Sequence, residues 1–169
     1  MTNAIQTLVP FLVVASHVLL VAILFSQSFR AFINKNILLF GLLITLGAVA
    51  GSLFYSEVVG FEACLLCWWQ RLFLYPQAVL FLVAYLKNDR SVFSYSVPLS
   101  TLAGIIALYH SYVYWGGESI LSCTSLGGAC SKIYVYAFGY ITIPAMSLTV
   151  ALYLLLLAWI NKKYENRHA

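Results

Sequence analysis

Charge of either sign is scarce in this sequence. Nine Lys and Arg and five Asp and Glu make up 8% of the 169 residues, against about a quarter in an ordinary soluble domain. Composition alone therefore excludes a soluble fold of the usual kind. Low-complexity segments and internal repeats are also missing, apart from the presence of two cysteine pairs. The start, MTNAIQTLVPFLVVASHVLLVAILFSQSF, lacks the basic n-region of a secretory signal, and its apolar run is long enough to span a bilayer. It is expected to be a retained helix.

What fills the chain is apolar: 63% hydrophobic residues, with 12 Tyr, 11 Phe and 4 Trp. This is the composition of a membrane protein. The net charge of +4 does not mark a nucleic-acid partner, because membrane proteins collect Lys and Arg in cytoplasmic loops for reasons of insertion. The expected surroundings are a lipid bilayer, with no nucleic acid.

Taking about 20 apolar residues per crossing, the sequence predicts five helices, at about 8–29, 37–57, 65–86, 95–115 and 134–160. Short connections suit an antiparallel bundle. RAFINKN, KNDRS and the tail NKKYENRHA then lie on one side and carry seven of the nine basic residues, leaving Arg71 and Lys132 on the other. The positive-inside rule predicts an N-terminus outside and a C-terminus in the cytoplasm, with all four cysteines facing outward. Pro76 and Pro144 are expected to kink the third and fifth helices. Trp68, Trp69, Tyr112, Tyr114 and Trp115 are expected to form an aromatic belt at the outer boundary.

The outward side carries the chemistry. Cys64-Leu-Leu-Cys67 is a C-x-x-C motif, and Cys123 and Cys130 form a second pair with six residues between them. As a structural staple a C-x-x-C is poor, since closing so small a ring removes only about 2 kcal/mol of chain entropy. Its value is fast, reversible exchange, helped by a lowered pKa on one sulfur. If the third helix begins near Cys67, the helix dipole favours a thiolate there, and Arg71, four residues on, adds a fixed positive charge on the same face. A four-cysteine zinc site is disfavoured, because the second pair is spaced too widely and an oxidising compartment competes for reduced thiols. No metal is expected.

Arg71 by itself reads as a residue that snorkels to the headgroups; beside a C-x-x-C it reads as functional. His110 lies near the outer end of the fourth helix, where a lone histidine is more often a hydrogen-bonded packing residue. His17, midway along the first helix, is assigned no role.

The string CLLCWWQR, an outer loop with two cysteines, and a last helix reading FGYITIPAMSL together resemble the disulfide bond formation protein B family of bacterial inner-membrane quinone reductases. The similarity runs from about Ile37 to Ile160. It implies an all-α integral membrane bundle with a four-helix core and one extra N-terminal transmembrane helix. The division would be 1–36 for that helix and its cytoplasmic connection, 37–160 for the redox core and 161–169 for a cytoplasmic tail. By this resemblance, Cys64 and Cys67 give electrons to a membrane quinone, ubiquinone or menaquinone. Arg71 lies against the quinone head, and His110 falls at the family's spacing for a quinone-site residue. Cys123 and Cys130 would reoxidise a soluble periplasmic thioredoxin-fold dithiol oxidase, so that the chain supports disulfide formation and protein folding through electron transport. Two features depart from the family pattern: the first helix has no counterpart, and the second cysteine loop is short.

Two other readings remain. A vitamin K epoxide reductase-like enzyme also couples thiols to a quinone, but it resembles a protein with a C-x-x-C in a late helix, and the last helix here has no cysteine. A non-enzymatic scaffold or small channel with stapled outer loops would resist mild reduction, whereas catalytic disulfides are labile.

Overall fold

Long apolar runs with few charges have one stable form in a bilayer, the helix that satisfies its own backbone. The computed structural model of the chain, which describes residues 2–120 and 130–168, is built this way. Its helices are α1 (Thr2–Phe25), α2 (Gln27–Lys35), α3 (Ile37–Leu53), α4 (Leu65–Lys87), α5 (Val92–Tyr114) and α6 (Ile143–His168). Among the described residues there is no strand, only an isolated bridge between Ala137 and Ile141. Three spans, Ile37–Val58, Val92–Tyr114 and Ile143–Asn166, are long and apolar enough to cross a membrane.

The four-helix core closes as a ring: α3 packs on α4, α4 on α5, α5 on α6, and α6 back on α3. α3 can approach α4 because Gly41 has no side chain where the ring of the fully buried Phe81 sits. α4 has the length of a crossing but carries Gln70, Arg71 and Gln77. Gln77 is satisfied inside the bundle: its Oε1 accepts from Ser96 (2.6 Å) and Ser100 (3.1 Å) on α5, and its Nε2 donates to the Phe73 carbonyl (3.0 Å). The outer surface is apolar, with Phe25, Val79 and Leu86 among its exposed side chains, as a lipid-facing surface requires.

Three sequence expectations are corrected. The first helix does not run unbroken from 8 to 29: it ends at Phe25, and α2 departs at 107°. Ser26 causes the break by capping α2, accepting from the Phe29 amide (3.3 Å). The last helix begins at Ile143 rather than 134. Pro144 stands in its first turn, where the missing N–H costs nothing, so it starts the helix instead of kinking it. The same helix, Ile143–His168, includes residues 161–168.

The two ends of the core differ in chemistry. At one end Arg90 donates to Asn34 (3.2 Å and 3.0 Å), and Arg30 and Lys163 lie over the ring of Trp159 (5.9 Å and 4.9 Å). Cys64, Cys67 and Cys130 lie at the opposite end, with Trp68, Trp69, Tyr112 and Trp115 exposed toward the same end.

Candidate functional site

Cys64 is the N-cap of α4: its backbone is extended (φ −73°, ψ 171°), and its carbonyl accepts the Trp68 amide (3.1 Å). The helix thus starts before Cys67, and it is Cys64 that caps it. Both residues are free thiols, with Sγ atoms 3.1 Å apart. The hydrogen bond from the Cys67 thiol holds the Cys64 thiol below its ordinary pKa; burial opposes this, and the His110 side chain adds to it. The direction favours charge on Cys64 in the reduced pair, whereas the sequence reading expects it on Cys67. Cys67 is the N3 residue of the same turn.

His110, buried in the last turns of α5, ties the two cysteine loops together. Its Nε2 lies 3.6 Å from Cys64 Sγ and 3.2 Å from the Cys130 carbonyl, and its Nδ1 lies 3.1 Å from Gln70 Nε2. These partners assign the tautomer: Nδ1 accepts from the Gln70 amide, and Nε2–H donates toward Cys130 and Cys64. Cys130, which is disulfide-bonded, is packed with Cys64, Leu66 and Val113 in one buried cluster. Cys123 lies outside the described residues.

Cys64, Cys67 and His110 bring three ligand-type atoms within 4.8 Å of one another. Both ring nitrogens of His110 are already used in hydrogen bonds, and three donors are one short of a closed tetrahedral zinc site.

Cys67 packs against the same cluster and also borders a cavity. Together with Gln70 and Arg71 it lines a cavity of about 450 Å³ between α1, α3, α4 and α6, while Cys64 and His110 are not among its walls. His110 itself lies between Cys64 and the Cys130 carbonyl, and reaches the cavity wall through Gln70. Arg71 is fixed by Ser52, with Nε donating to Oγ (3.0 Å) and Nη2 to the carbonyl (3.3 Å), and its guanidinium lies 5.2 Å from the Trp68 ring centroid. Tyr75 donates to the same Ser52 Oγ (3.0 Å). This is more anchoring than a snorkelling side chain needs.

Sequence reading missed Ser52, Gln70, Tyr55 and Tyr134. After Leu53 the helix widens into a π-helical turn, Phe54–Val58, which carries Tyr55 into the cavity wall; such turns recur at functional sites. The rings of Tyr55, Phe61 and Tyr134 stack in sequence, with centroids 5.8 Å and 4.6 Å apart. The hydroxyls of Tyr55 and Tyr134 are buried with no hydrogen-bond partner among the described residues. Gln70 carried a weak signal, a polar residue one position before Arg71 in an apolar run; the tyrosines carried none.

Comparison with known proteins bears on this arrangement. The chain is 40% identical over 116 residues to the SPbeta prophage-derived disulfide bond formation protein B of Bacillus subtilis, covering 69% of this chain and 78% of that one. It is 37% identical over 128 residues to a probable disulfide formation protein of Oceanobacillus iheyensis, covering 72% and 86%. It is 36% identical over 106 residues to the probable disulfide formation protein C 1 of Bacillus anthracis, covering 60% and 73%. No solved structure matches it. The disulfide bond formation protein DsbB family profile matches residues 34–161, which takes in the C-x-x-C, Arg71, His110 and both cysteines of the second loop. With that span and these relatives, the chain belongs to the DsbB family of disulfide-forming membrane proteins.

Proposed function

We propose that the chain is a protein-dithiol:quinone oxidoreductase. It reoxidises a soluble thioredoxin-fold dithiol oxidase outside the bacterial inner membrane and passes the electrons to ubiquinone or menaquinone. The observation that carries this reading is that the C-x-x-C meets both neighbours: Cys64 packs with Cys130 and lies beside His110, and Cys67, packed against the same cluster, also lines the apolar cavity that holds Arg71. Cys64, Cys67 and Cys130 lie at the end of the bundle opposite Arg30, Arg90 and Lys163, which supports an outward orientation.

The cavity fits a quinone. Its volume is in the range of small-molecule sites, its walls are mostly apolar, and its polar groups include donors, Arg71 and the two unpartnered phenols, beside the Glu62 carboxylate. A quinone ring offers two carbonyl acceptors and no donor.

The steps follow from this placement. A partner thiolate attacks Cys123, breaking the Cys123–Cys130 disulfide and freeing Cys130; the partner's second thiol then resolves the mixed disulfide. Cys130 attacks Cys64 of an oxidised Cys64–Cys67 pair, and Cys67 leaves as a thiolate on the cavity side. Cys123 attacks the Cys130 sulfur, restoring the loop disulfide and releasing Cys64. Two electrons and two protons have then passed from the partner to Cys64 and Cys67. A bound quinone accepts both electrons and both protons, and the Cys64–Cys67 disulfide re-forms. His110 Nε2–H steadies the negative charge on Cys64 during exchange. Arg71 stabilises negative charge developing at Cys67 and at the acceptor.

The test is turnover by the purified protein: a reduced thioredoxin-fold dithiol protein and a quinone are supplied, and quinone absorbance is followed. Catalysed loss of absorbance is expected. No turnover with either quinone class would overturn the reading.

A further inference from the structure

The sulfurs of Cys64 and Cys67 and one ring nitrogen of His110 lie within 4.8 Å of one another, and Cys64 and His110 are buried. In a tetrahedral site with metal–sulfur bonds of about 2.3 Å and metal–nitrogen bonds of about 2.0 Å, two sulfurs stand about 3.8 Å apart, and a sulfur and a nitrogen about 3.5 Å. The Cys64 Sγ to His110 Nε2 distance, 3.6 Å, already lies at that value. The two sulfurs, at 3.1 Å, need to open by about 0.7 Å.

His110 presents the edge that a metal needs. Its Nε2–H points toward Cys64 Sγ and the Cys130 carbonyl (3.2 Å), so a cation that replaces this proton meets Cys64 directly, with the carbonyl or a water as fourth donor. The exchange requires the ring proton to move to Nδ1, and Gln70 permits it. Its amide Nε2 donates to Nδ1 (3.1 Å); a half-turn of the amide presents Oε1 there instead, as the acceptor for Nδ1–H. A metal-bound histidine is almost always held by such a second hydrogen bond, which fixes its tautomer and its ring.

We infer that the reduced Cys64–Cys67 pair and His110 capture a zinc ion in an open site of three protein ligands, and that capture arrests the pair. This is not a structural site, which would close with four protein ligands. Zinc has no redox chemistry, so no electrons move: both sulfurs bind as thiolates, the thiol protons still present pass to water, and two Zn–S bonds form. Two thiolates balance the charge of the ion, so the guanidinium of Arg71 on the neighbouring wall faces a neutral centre. Entry is through Cys67, the one member of the trio on the cavity wall. In the oxidised pair the sulfurs are bonded to each other and offer no thiolate, so the site exists only in the reduced state. The arrest rests on the quinone reading above; the binding does not.

Binding is measured on purified protein carrying Cys123→Ser and Cys130→Ser, which leaves Cys64 and Cys67 as the only cysteines, with Co2+ as the spectroscopic probe and Zn2+ as its competitor. The reduced protein is expected to bind one Co2+ with thiolate-to-cobalt charge-transfer absorbance and the visible bands of a four-coordinate ion, all displaced by Zn2+. The disulfide form should show none. His110→Ala should weaken Zn2+ binding about tenfold or more, and Gln70→Leu, which leaves all three ligands in place, about tenfold to a hundredfold. Affinity unchanged in both variants would mean that the C-x-x-C binds zinc alone and would overturn the site, as would equal binding by the disulfide form. The same pre-reduced protein, without a thiol partner, should reduce a quinone once in the absence of Zn2+ and not in its presence. Equal reduction with zinc bound would overturn the arrest. No reduction even without zinc would overturn the quinone reading and leave the binding result standing.

Discussion

The imidazole Nε2 of His110 stands 3.6 Å from Sγ of Cys64, 46 residues away in sequence. The same nitrogen is 3.2 Å from the Cys130 carbonyl. Under the proposed function, this relationship gives His110 the role of a positioning residue for exchange between the pairs. His110→Ala is expected to slow electron transfer from the second loop to Cys64 by about tenfold to a hundredfold, as loss of a charge-assisted hydrogen bond implies. The KM for quinone should hold. Stopped-flow reduction of the Cys64–Cys67 disulfide by the partner, compared with steady-state quinone kinetics, separates the two. His110→Gln, which keeps an N–H donor, should recover part of the rate. A rise in quinone KM alone would return His110 to the cavity.

Arg71 gives the complementary result. Its guanidinium is fixed on Ser52 and lines the cavity with Cys67, so Arg71→Ala should raise the apparent KM for quinone about tenfold to a hundredfold. Exchange with the thiol partner should continue. Ser52→Ala, which removes an acceptor from the guanidinium and from Tyr75, is expected to move KM in the same direction by a smaller factor. Unchanged quinone kinetics in both variants would make Arg71 an interfacial anchor.

The sequence displayed the chemistry more clearly than its arrangement. Four of the helices were legible because runs such as Ile37–Leu53 and Leu65–Lys87 have the length and composition of buried or spanning helices. The break at Ser26 was readable in principle, as a serine ahead of a short amphipathic segment, but the surrounding hydrophobicity hid it. The non-helical stretch before Ile143 is also apolar, and only Gly139 (φ 80°) and the placement of Pro144 betray it. At the site, the motif exposed Cys64, Cys67 and Arg71, because spacing along one helix is a local property. The division of labour between Cys64 and Cys67 was hidden: it depends on where α4 starts and on what α5 and the second loop bring to each sulfur. Ser52 and Tyr55 reach the site from another helix, where one serine or tyrosine in an apolar run looks like any other.

The shared proton of the reduced pair is open to titration. Cys64 sits ahead of α4, and the Cys67 hydrogen bond is the largest influence lowering its pKa. A lowered pKa means that the charged form persists as pH falls. In a Cys123→Ser, Cys130→Ser background, the reduced protein should therefore show thiolate ultraviolet absorbance at neutral pH that disappears only in acid. Cys67→Ala in that background removes the donor and should shift the transition upward, toward the ordinary thiol range. A transition already in that range before the substitution would show that the pair does not stabilise a thiolate on Cys64.

The order of electron flow can be captured covalently. Cys130 is buried against Cys64, whereas its loop partner in the sequence, Cys123, falls in the polar stretch SCTSLGGACSK. A soluble partner is therefore expected to address Cys123 first, releasing Cys130 toward Cys64. The mixed disulfide is normally brief because a freed thiol reverses or advances it. Cys130→Ser removes that thiol, so with a partner lacking its own resolving cysteine, a complex through Cys123 should accumulate and survive non-reducing electrophoresis. Adding Cys123→Ser should abolish it. Cys64→Ser should leave it intact, since Cys64 acts only after the partner has been engaged. A complex that persists without Cys123 and maps to Cys64 would mean that the partner reaches the C-x-x-C directly, and the contact between Cys130 and Cys64 would then be packing alone.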